Sequence, residues 1–364
     1  MNKPVTIKEA EALRKKKEKL DKEWWSGRSL FGNSWAMFFA LIGGREAGKS
    51  YFVTNFFVGQ WKKYGRPFYW MRLTDSSANK LLMNNAEKLI DPDIRRKFNL
   101  DIEVSGGNVY EIVSKKNVDG KVKKARKLMA RVLALSTFYN DKGSGLFDKD
   151  FLNDPKMFYN ICLDEMNREK NEKKTFDILY AFVNELENLV RSTKERMRII
   201  MIGNTLEEAS DLMCGFNFLP EQFGRFYLKS KRCVIEYIEP SEKYLARRKG
   251  TVADILMPQA STFTNQIKVD ASRIYKGKLT RPQNIIKFDK DISKWYTLWE
   301  GGIICPYNKE KVPVWAMRPY IDEIFVTERR DVIFNLFDAR SLLFRNLITF
   351  KRFQKELEFL KPRK

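Results

Sequence analysis

The stretch Gly43-Gly44-Arg45-Glu46-Ala47-Gly48-Lys49-Ser50 satisfies every fixed position of the phosphate-binding loop pattern G-x-x-x-x-G-K-[ST]. A continuous apolar run at residues 35–42 precedes the loop, as a buried parallel strand requires. The apolar-rich residues 51–58 follow it and predict a buried helix. Strand, glycine-rich loop and helix together favour a phosphate-binding site over a chance glycine-rich turn.

Each part of this loop has a predicted role toward ATP and Mg²⁺. Backbone N–H groups would wrap the phosphates, and the helix N-terminus would add its partial positive charge. Lys49 would reach the β- and γ-phosphates, and the Ser50 hydroxyl would bind Mg²⁺. The residues predicted to bind the nucleotide are Gly43, Gly44, Arg45, Glu46, Ala47, Gly48, Lys49, Ser50 and Tyr51.

A second hydrophobic strand, predicted over residues 157–163, ends in Asp164-Glu165. A carboxylate delivered at the end of such a strand lies near Mg²⁺, so Asp164 joins Ser50 as a predicted metal ligand. Glu165 beside it can orient and deprotonate the attacking water, which indicates ATP hydrolysis. The alternative is two ordinary solvent-facing acids, and the presence of the phosphate loop weakens that interpretation.

Asn204 follows the next predicted core strand, which covers residues 198–203. A polar residue in this position can sense the γ-phosphate or its water, and a plain turn residue at a strand end is the alternative. Residues 175–194 have the apolar period of a helix. Strands that alternate with helices predict a parallel α/β sheet. The apolar stripe of that helix is predicted to be Leu179, Phe182, Val183, Leu186 and Val190.

Composition narrows the classes of function. The 364 residues contain no histidine, which excludes a histidine general base and a histidine metal site. Four scattered cysteines argue against a zinc site or a disulfide framework. No apolar run approaches a membrane span and no signal-peptide core is evident, so we expect a cytoplasmic protein without a membrane partner.

The chain is strongly basic, with a formal net charge of +22. Residues 113–131 contain eight Lys or Arg against one Asp, and residues 340–364 contain eight against two Glu. Each cluster alone could be a solvated face, but the total charge favours a nucleic-acid partner. Asp119-Gly120 predicts a hairpin turn between two lysine-rich strands, and residues 7–25 predict a charged surface helix.

These motifs, taken together, resemble the DNA-packaging ATPases of phi-29-like podoviruses. The resemblance is specific over residues 35–205 and thins to a similar layout from about residue 230. Besides the phosphate loop, the matching residues are Tyr64-Gly65, Phe68-Tyr69-Trp70-Met71-Arg72, Asp119-Gly120-Lys121, Leu135-Ser136, Lys142, Asp164-Glu165, Arg168-Glu169-Lys170, Arg191, Glu195-Arg196 and Asn204.

The resemblance implies a P-loop additional-strand ATPase domain, with a parallel α/β sheet flanked by helices. A small linker and a C-terminal α+β domain resembling a vestigial RNase H-like nuclease would follow. The implied domains are a basic helical extension over 1–34, the ATPase over 35–229, the linker over 230–282 and a nucleic-acid- or portal-binding domain over 283–364. We expect this last domain to bind rather than cut, with a purely structural role as the alternative.

The resemblance also implies a function and partners. A ring of identical subunits, expected as a pentamer, would drive double-stranded DNA through the portal into a procapsid in the host cytoplasm. A structural packaging RNA is a further implied partner. Arg191 matches the family's trans-acting arginine finger, with Arg196 as the alternative and a surface pair of Arg191 with Glu187 as the plainer interpretation. Lys142 matches a second trans-acting basic residue.

Two other functions compete with this one. The first is a different P-loop DNA motor, such as a helicase or a DNA-transfer ATPase. The second is a nucleic-acid-binding structural protein that does not hydrolyse ATP. The presence of all expected ATPase residues opposes the second, and ATP turnover stimulated by double-stranded DNA would separate the three.

Overall fold

The computed structural model describes residues 24–116, 122–141, 158–168, 176–190, 196–204 and 210–258, with short backbone segments between residues 284 and 354. The chain forms two compact units, one of Met1–Leu206 with Pro220–Gln266 and one of Glu207–Leu219 with Ile267–Lys364. Among the described residues, no helix combines the length and the apolar composition needed to cross a membrane.

The strand and helix predicted around the phosphate loop are both present. Strand β1 (Phe38–Gly43) is buried from its second residue onward. Helix α1 (Lys49–Tyr64) begins after Gly48 and ends at Gly65, and both glycines have a positive φ, of 88° and 70°. The left-handed backbone conformation at the end of α1 costs little free energy at Gly65, because glycine has no Cβ to clash with the helix.

Nine strands form one mixed sheet in the first unit, in the order β3-β4-β5-β2-β6-β7-β1-β9-β8. The remaining strands are β2 (Phe68–Arg72), β3 (Ile102–Ser105), β4 (Asn108–Lys116), β5 (Val122–Ala134), β6 (Tyr159–Asp164), β7 (Met197–Asn204), β8 (Gly224–Leu228) and β9 (Cys233–Tyr237). The prediction of a parallel sheet is correct for the six central strands, which in sheet order are β5, β2, β6, β7, β1 and β9. It does not hold at the two edges, where hairpins add the antiparallel strands β3, β4 and β8. The antiparallel pairing of β4 with β5 agrees with the predicted hairpin of two lysine-rich strands.

The other α-helices of the described residues have between 5 and 13 residues. They are α2 (Asp75–Ala86), α3 (Pro92–Phe98), α4 (Ile178–Val190), α5 (Asp211–Phe216), α6 (Glu242–Arg248) and α7 (Val252–Leu256). The predicted apolar stripe of α4 is partly wrong, because Val183 is exposed while Ala181 and Glu185 are buried. The buried face of α4 is therefore rotated from the predicted one.

The core of the first unit lies between α1 and the sheet. Phe57 and Trp61 are fully buried on the inner face of α1, and the Phe57 ring centroid is 5.4 Å from that of Phe68 on β2. The Trp61 indole Nε1 donates a hydrogen bond to the Leu128 carbonyl oxygen at 2.9 Å, so its one polar atom is satisfied inside the core. These contacts hold the end of α1 against β5.

Strand β9 lies beyond residue 229, where the predicted ATPase domain ends, and it pairs directly with β1. The described part of the second unit contains β10 (Asn284–Lys287), β11 (Trp295–Thr297), β12 (Gly302–Ile304), β13 (Phe325–Thr327) and β14 (Leu342–Phe344). They form one three-stranded and one two-stranded sheet. The predicted domain boundaries and the RNase H-like character of this unit stay predictions. The predicted helix at 7–25 and the Asp119-Gly120 turn lie almost wholly outside the described residues.

Candidate nucleotide-binding site

The register of the parallel strands brings the predicted site residues to one edge of the sheet. Gly43 at the end of β1 pairs with Asn204 at the end of β7. Asp164 at the end of β6 pairs with Ile202 of β7. Residues far apart in the chain are therefore neighbours in space, because the carboxyl ends of parallel strands share an edge.

Lys49 is the first residue of α1 and is almost fully buried. Its Nζ donates hydrogen bonds to the carbonyl oxygens of Gly43 at 2.8 Å and Gly44 at 2.6 Å. Burial lowers the pKa of Lys49 to about 8, with Asp164 opposing that shift and Arg45 adding to it. A poorly solvated ammonium of this kind gains from an anionic ligand, because a phosphate replaces the lost water.

Asp164 and Ser50 place two oxygen atoms side by side. The Ser50 Oγ lies 3.3 Å from Asp164 Oδ1, and burial raises the pKa of the Asp164 carboxyl against the opposing effect of Arg72. Hydroxyl and carboxylate oxygens suit Mg²⁺, which usually takes only one or two protein ligands and completes its shell with phosphate and water. The donor set therefore fits Mg²⁺ bound together with a nucleotide.

Arg72 is a site residue to which the sequence motifs assigned no role. It ends β2, and its guanidinium bridges the two acids at the end of β6. Its Nη2 lies 2.8 Å from Asp164 Oδ2, and its Nη1 forms a salt bridge with Glu165 Oε2. The sequence did contain a sign of this role, because Arg72 is a charged residue at the end of the apolar strand at residues 68–72. Asp164 was identified by the same feature at the end of its own strand.

Glu165 turns its carboxylate toward the open side of the site. Its φ is 57°, in the left-handed region that costs a residue with a Cβ energy, and its side chain is 56% exposed. Its backbone N–H donates to Asp164 Oδ1 at 3.1 Å, and the N–H of Met166 donates to the Ile202 carbonyl at 2.9 Å. These bonds hold the unusual turn that separates a buried acid from an accessible one.

One distant segment, helix α6, binds the outer carbonyl oxygens of the phosphate loop. The Tyr244 hydroxyl and Arg248 Nη1, both on α6, donate to the Arg45 carbonyl at 2.8 and 3.2 Å. Arg247 Nη2 donates to the Glu46 carbonyl at 2.7 Å. We call these three residues of α6 the loop clamp. No sequence motif indicated it.

A cavity of about 450 Å³ lies at this edge of the sheet. It is lined by Trp24, Arg45, Glu46, Ala47, Gly48, Lys49, Ser50, Tyr51, Arg72, Asp164, Glu165, Ile202, Gly203 and Asn204. Of the predicted residues, Gly43 and Gly44 act through their carbonyl bonds to Lys49 and are not part of this lining. Lys142 and Arg191 lie outside the described residues, so their roles stay predictions.

Several solved structures share this fold. The phi-28 gp11 DNA packaging motor gives a TM-score of 0.56 at 16% sequence identity, over 94% of this chain and 99% of that chain. The bacteriophage phi-29 viral genome packaging motor assembly gives 0.55 at 17% identity, over 93% and 99%. No protein-family model and no curated protein matches. The resemblance drawn from the sequence is thereby confirmed for the fold.

Replacing Lys49 with methionine should change how the stability of the nucleotide-free protein depends on pH. The pKa of about 8 in the folded state lies below the ordinary 10.5. A charged Lys49 therefore costs up to about 3 kcal/mol of folding free energy at pH 7, before its carbonyl hydrogen bonds are counted. We expect the Tm difference between Lys49→Met and wild type, measured by calorimetry without nucleotide, to vary with pH, and ATP to stabilise the wild type alone.

The pH dependence of the folding stability tests whether the charge on Lys49 causes this effect. Between about pH 8 and 10.5 the folded wild-type Lys49 has lost its proton while the unfolded chain retains it, so wild-type stability rises with pH. The stability of wild type relative to Lys49→Met should therefore rise over that window. Lys88→Met, at an exposed lysine, is the matched control, and its stability relative to wild type should stay constant there. A stability difference between Lys49→Met and wild type that is the same at pH 7 and pH 10.5 would contradict the assignment.

Removing Arg72 should destabilise the fold strongly. Arg72→Ala leaves the buried Asp164 carboxylate without its guanidinium partner, and losing one member of a buried pair costs about 3–5 kcal/mol. Arg72→Lys should recover part of this, because a single ammonium cannot bridge both acids. Urea unfolding measures the loss, and Arg126→Ala, which breaks the exposed pair with Glu103, should cost about 1 kcal/mol or less. Equal losses for the two alanine variants would refute the role of Arg72.

Proposed function

We propose that this chain is an ATP-hydrolysing motor that moves double-stranded DNA into a viral procapsid. The observation that carries the proposal is the convergence of Lys49, Ser50, Asp164 and Glu165 on one cavity. Its second support is a fold shared with phage DNA packaging motors. The proposed partners are duplex DNA, the portal of the procapsid and further copies of this chain in a ring. A pentameric ring and a packaging RNA are finer expectations from the same resemblance.

The site residues divide the work of hydrolysis. Lys49 and the loop N–H groups would hold the β- and γ-phosphates. Mg²⁺ at Ser50 and Asp164 would supply charge neutralisation on the phosphates. Glu165, accessible from the cavity, would orient the attacking water and accept its proton. Arg72 holds the Glu165 carboxylate, and Asn204 is proposed to contact the γ-phosphate or the water.

Arg191 is proposed to act on the site of the neighbouring subunit, with Lys142 as a second basic residue supplied in the same way. Arg191 directly follows α4, whose last residue is Val190. Tyr180 and Val183 on α4 are 62% and 48% exposed, so this helix presents apolar surface that a neighbouring subunit could cover. A finger supplied between subunits makes hydrolysis depend on the position of the neighbour.

A basic surface lies at the opposite end of α1 from the phosphate loop, about 24 Å away along the 16-residue helix. We call it the basic face. It consists of Lys62, Lys63 and Lys127, all three exposed. Lys62 and Lys127 both lie over the Trp61 ring, with Nζ 5.6 and 4.8 Å from its centroid.

The charge of the basic face is only partly balanced. Glu111 is buried and forms a salt bridge with Lys62, while the exposed Lys63 lies over the ring of Tyr64, with Nζ 5.1 Å from its centroid. Glu111, which balances part of the positive charge, is thus buried, while the lysines are exposed. Such a surface suits the phosphate backbone of a duplex, which is bound without regard to sequence.

DNA binding through the basic face should depend strongly on salt. The double variant Lys63→Gln with Lys127→Gln should weaken duplex binding and reduce the slope of log K against log salt by about two units, since each phosphate contact contributes about one. Fluorescence anisotropy of two unrelated duplexes over a salt series measures both quantities. Lys88→Gln is the control for a single lost exposed charge. Unchanged affinity and slope in the double variant would place the DNA elsewhere.

Turnover of ATP by the full chain should rise when double-stranded DNA is added, and Glu165→Gln should abolish it while ATP still binds. The proposed trans action of Arg191 is tested by mixing two inactive variants, Glu165→Gln and Arg191→Ala. In a mixed ring, an Arg191→Ala subunit keeps a sound Glu165 and receives Arg191 from its neighbour, so hydrolysis should partly return.

Three results would count against this scheme. Glu165→Gln with normal turnover would remove Glu165 from the reaction. A mixture as inactive as its parts would show that Arg191 acts within its own subunit. An active Arg191→Ala protein would end the finger assignment and make Arg196 the next candidate.

A further inference from the structure

Trp24 stands at the rim of the nucleotide cavity and is part of its lining. Its ring packs on the phosphate loop so closely that a Cβ added at Gly48 would lie 3.4 Å from the ring. Even so, 49% of the Trp24 surface is exposed. A large aromatic ring is therefore placed beside the loop without being buried in the core.

The orientation of this ring is fixed from several sides. The Arg247 guanidinium lies over it, with Cζ 3.7 Å from the ring centroid, and Arg247 is held in turn by its bond to the Glu46 carbonyl. The next residue, Trp25, donates its backbone N–H to the Ala47 carbonyl at 3.0 Å and packs its ring 5.2 Å from that of Phe52. Trp24 thus has a guanidinium against its ring and a defined position relative to the phosphate loop.

We propose that Trp24 is the stacking platform for the base of the bound nucleotide, with Arg247 holding it in place. This inference rests on the proposed binding of ATP at the phosphate loop. Lys49 and the loop N–H groups fix the triphosphate end, and a cavity of about 450 Å³ is the size of a small-molecule site. The base then needs an apolar, flat surface near the rim, which the indole provides.

Stacking has a consequence for specificity. Every nucleobase has a π face, so stacking on an aromatic ring tolerates changes of base. A site that holds the base mainly through Trp24 should bind ATP and GTP with affinities within about tenfold of each other, since no more than a single hydrogen bond would separate them.

Tyr51 is the other aromatic residue of the lining and is 44% exposed. It directly follows Ser50 in the first turn of α1, and burial together with the nearby acids Asp93 and Asp91 raises its pKa. Trp24 has the larger ring and a guanidinium in contact with it, so we assign the platform to Trp24. Tyr51→Ala serves as the competing variant.

The test compares ATP with inorganic tripolyphosphate, which lacks the base and ribose. Calorimetric titration of the full chain with Mg²⁺ measures the Kd of each ligand. Trp24→Ala should raise the Kd of ATP about 5- to 100-fold, the range expected for loss of one base–aromatic stack, and leave the Kd of tripolyphosphate unchanged. Trp24→Phe should retain most of the ATP affinity, because a smaller ring can still stack.

The outcomes separate the possibilities. Equal losses for ATP and tripolyphosphate in Trp24→Ala would mean that Trp24 only supports the loop, and the platform assignment would fail. An unchanged ATP affinity in Trp24→Ala, or an ATP-selective loss in Tyr51→Ala instead, would overturn it as well. A wild-type protein that binds neither ligand would refute the proposed nucleotide site itself. Wild-type binding of tripolyphosphate as tight as that of ATP would leave the site standing and refute the platform alone.

Discussion

The parallel pairing of β7 with β1 on one side and β6 on the other is the constraint on which the site depends. It aligns Gly43 with Asn204 and Asp164 with Ile202, so the loop, the acid and the amide reach the same edge. Side chains alternate between the two faces of a strand, and a slip of one residue would turn Asp164 away from Ser50. The long buried strands between these positions secure the register, because a slip would expose their apolar residues.

The site itself is assembled from locally unfavourable choices. The charged Lys49 and the carboxyl group of Asp164 are buried, and Glu165 adopts a left-handed backbone conformation. Each of these features alone lowers the stability of the fold. The protein tolerates them together because the core between α1 and the sheet is large. A ligand that carries several negative charges relieves part of this cost when it binds. Functional sites are where such exceptions to folding rules are expected.

The phosphate loop between β1 and α1 was predictable because its pattern lies in one continuous segment. The approach of Asp164 to Ser50, 114 positions away in the chain, was predictable because each residue belongs to a recognisable motif. Contacts that no motif marks escaped prediction. Arg72 closes its strand as visibly as Asp164 does, but only the sheet order shows that β2 and β6 are neighbours. The Tyr244 hydroxyl binds the Arg45 carbonyl across 199 positions of sequence, and no motif spans such a distance. On α4 the predicted helical period was correct. The buried face is rotated from the predicted one, because Ala181 is buried and Val183 is exposed.

The place of β9 beside β1 bears on how this chain can be divided. β1 has β7 on one side and β9 on the other, so a fragment ending at residue 229 would turn the strand that carries the phosphate loop into a sheet edge. Unpaired edges of buried apolar strands invite pairing between molecules. Such a fragment would also lack the loop clamp on α6. The smallest piece of the chain that could carry a sound nucleotide site therefore extends through Arg248.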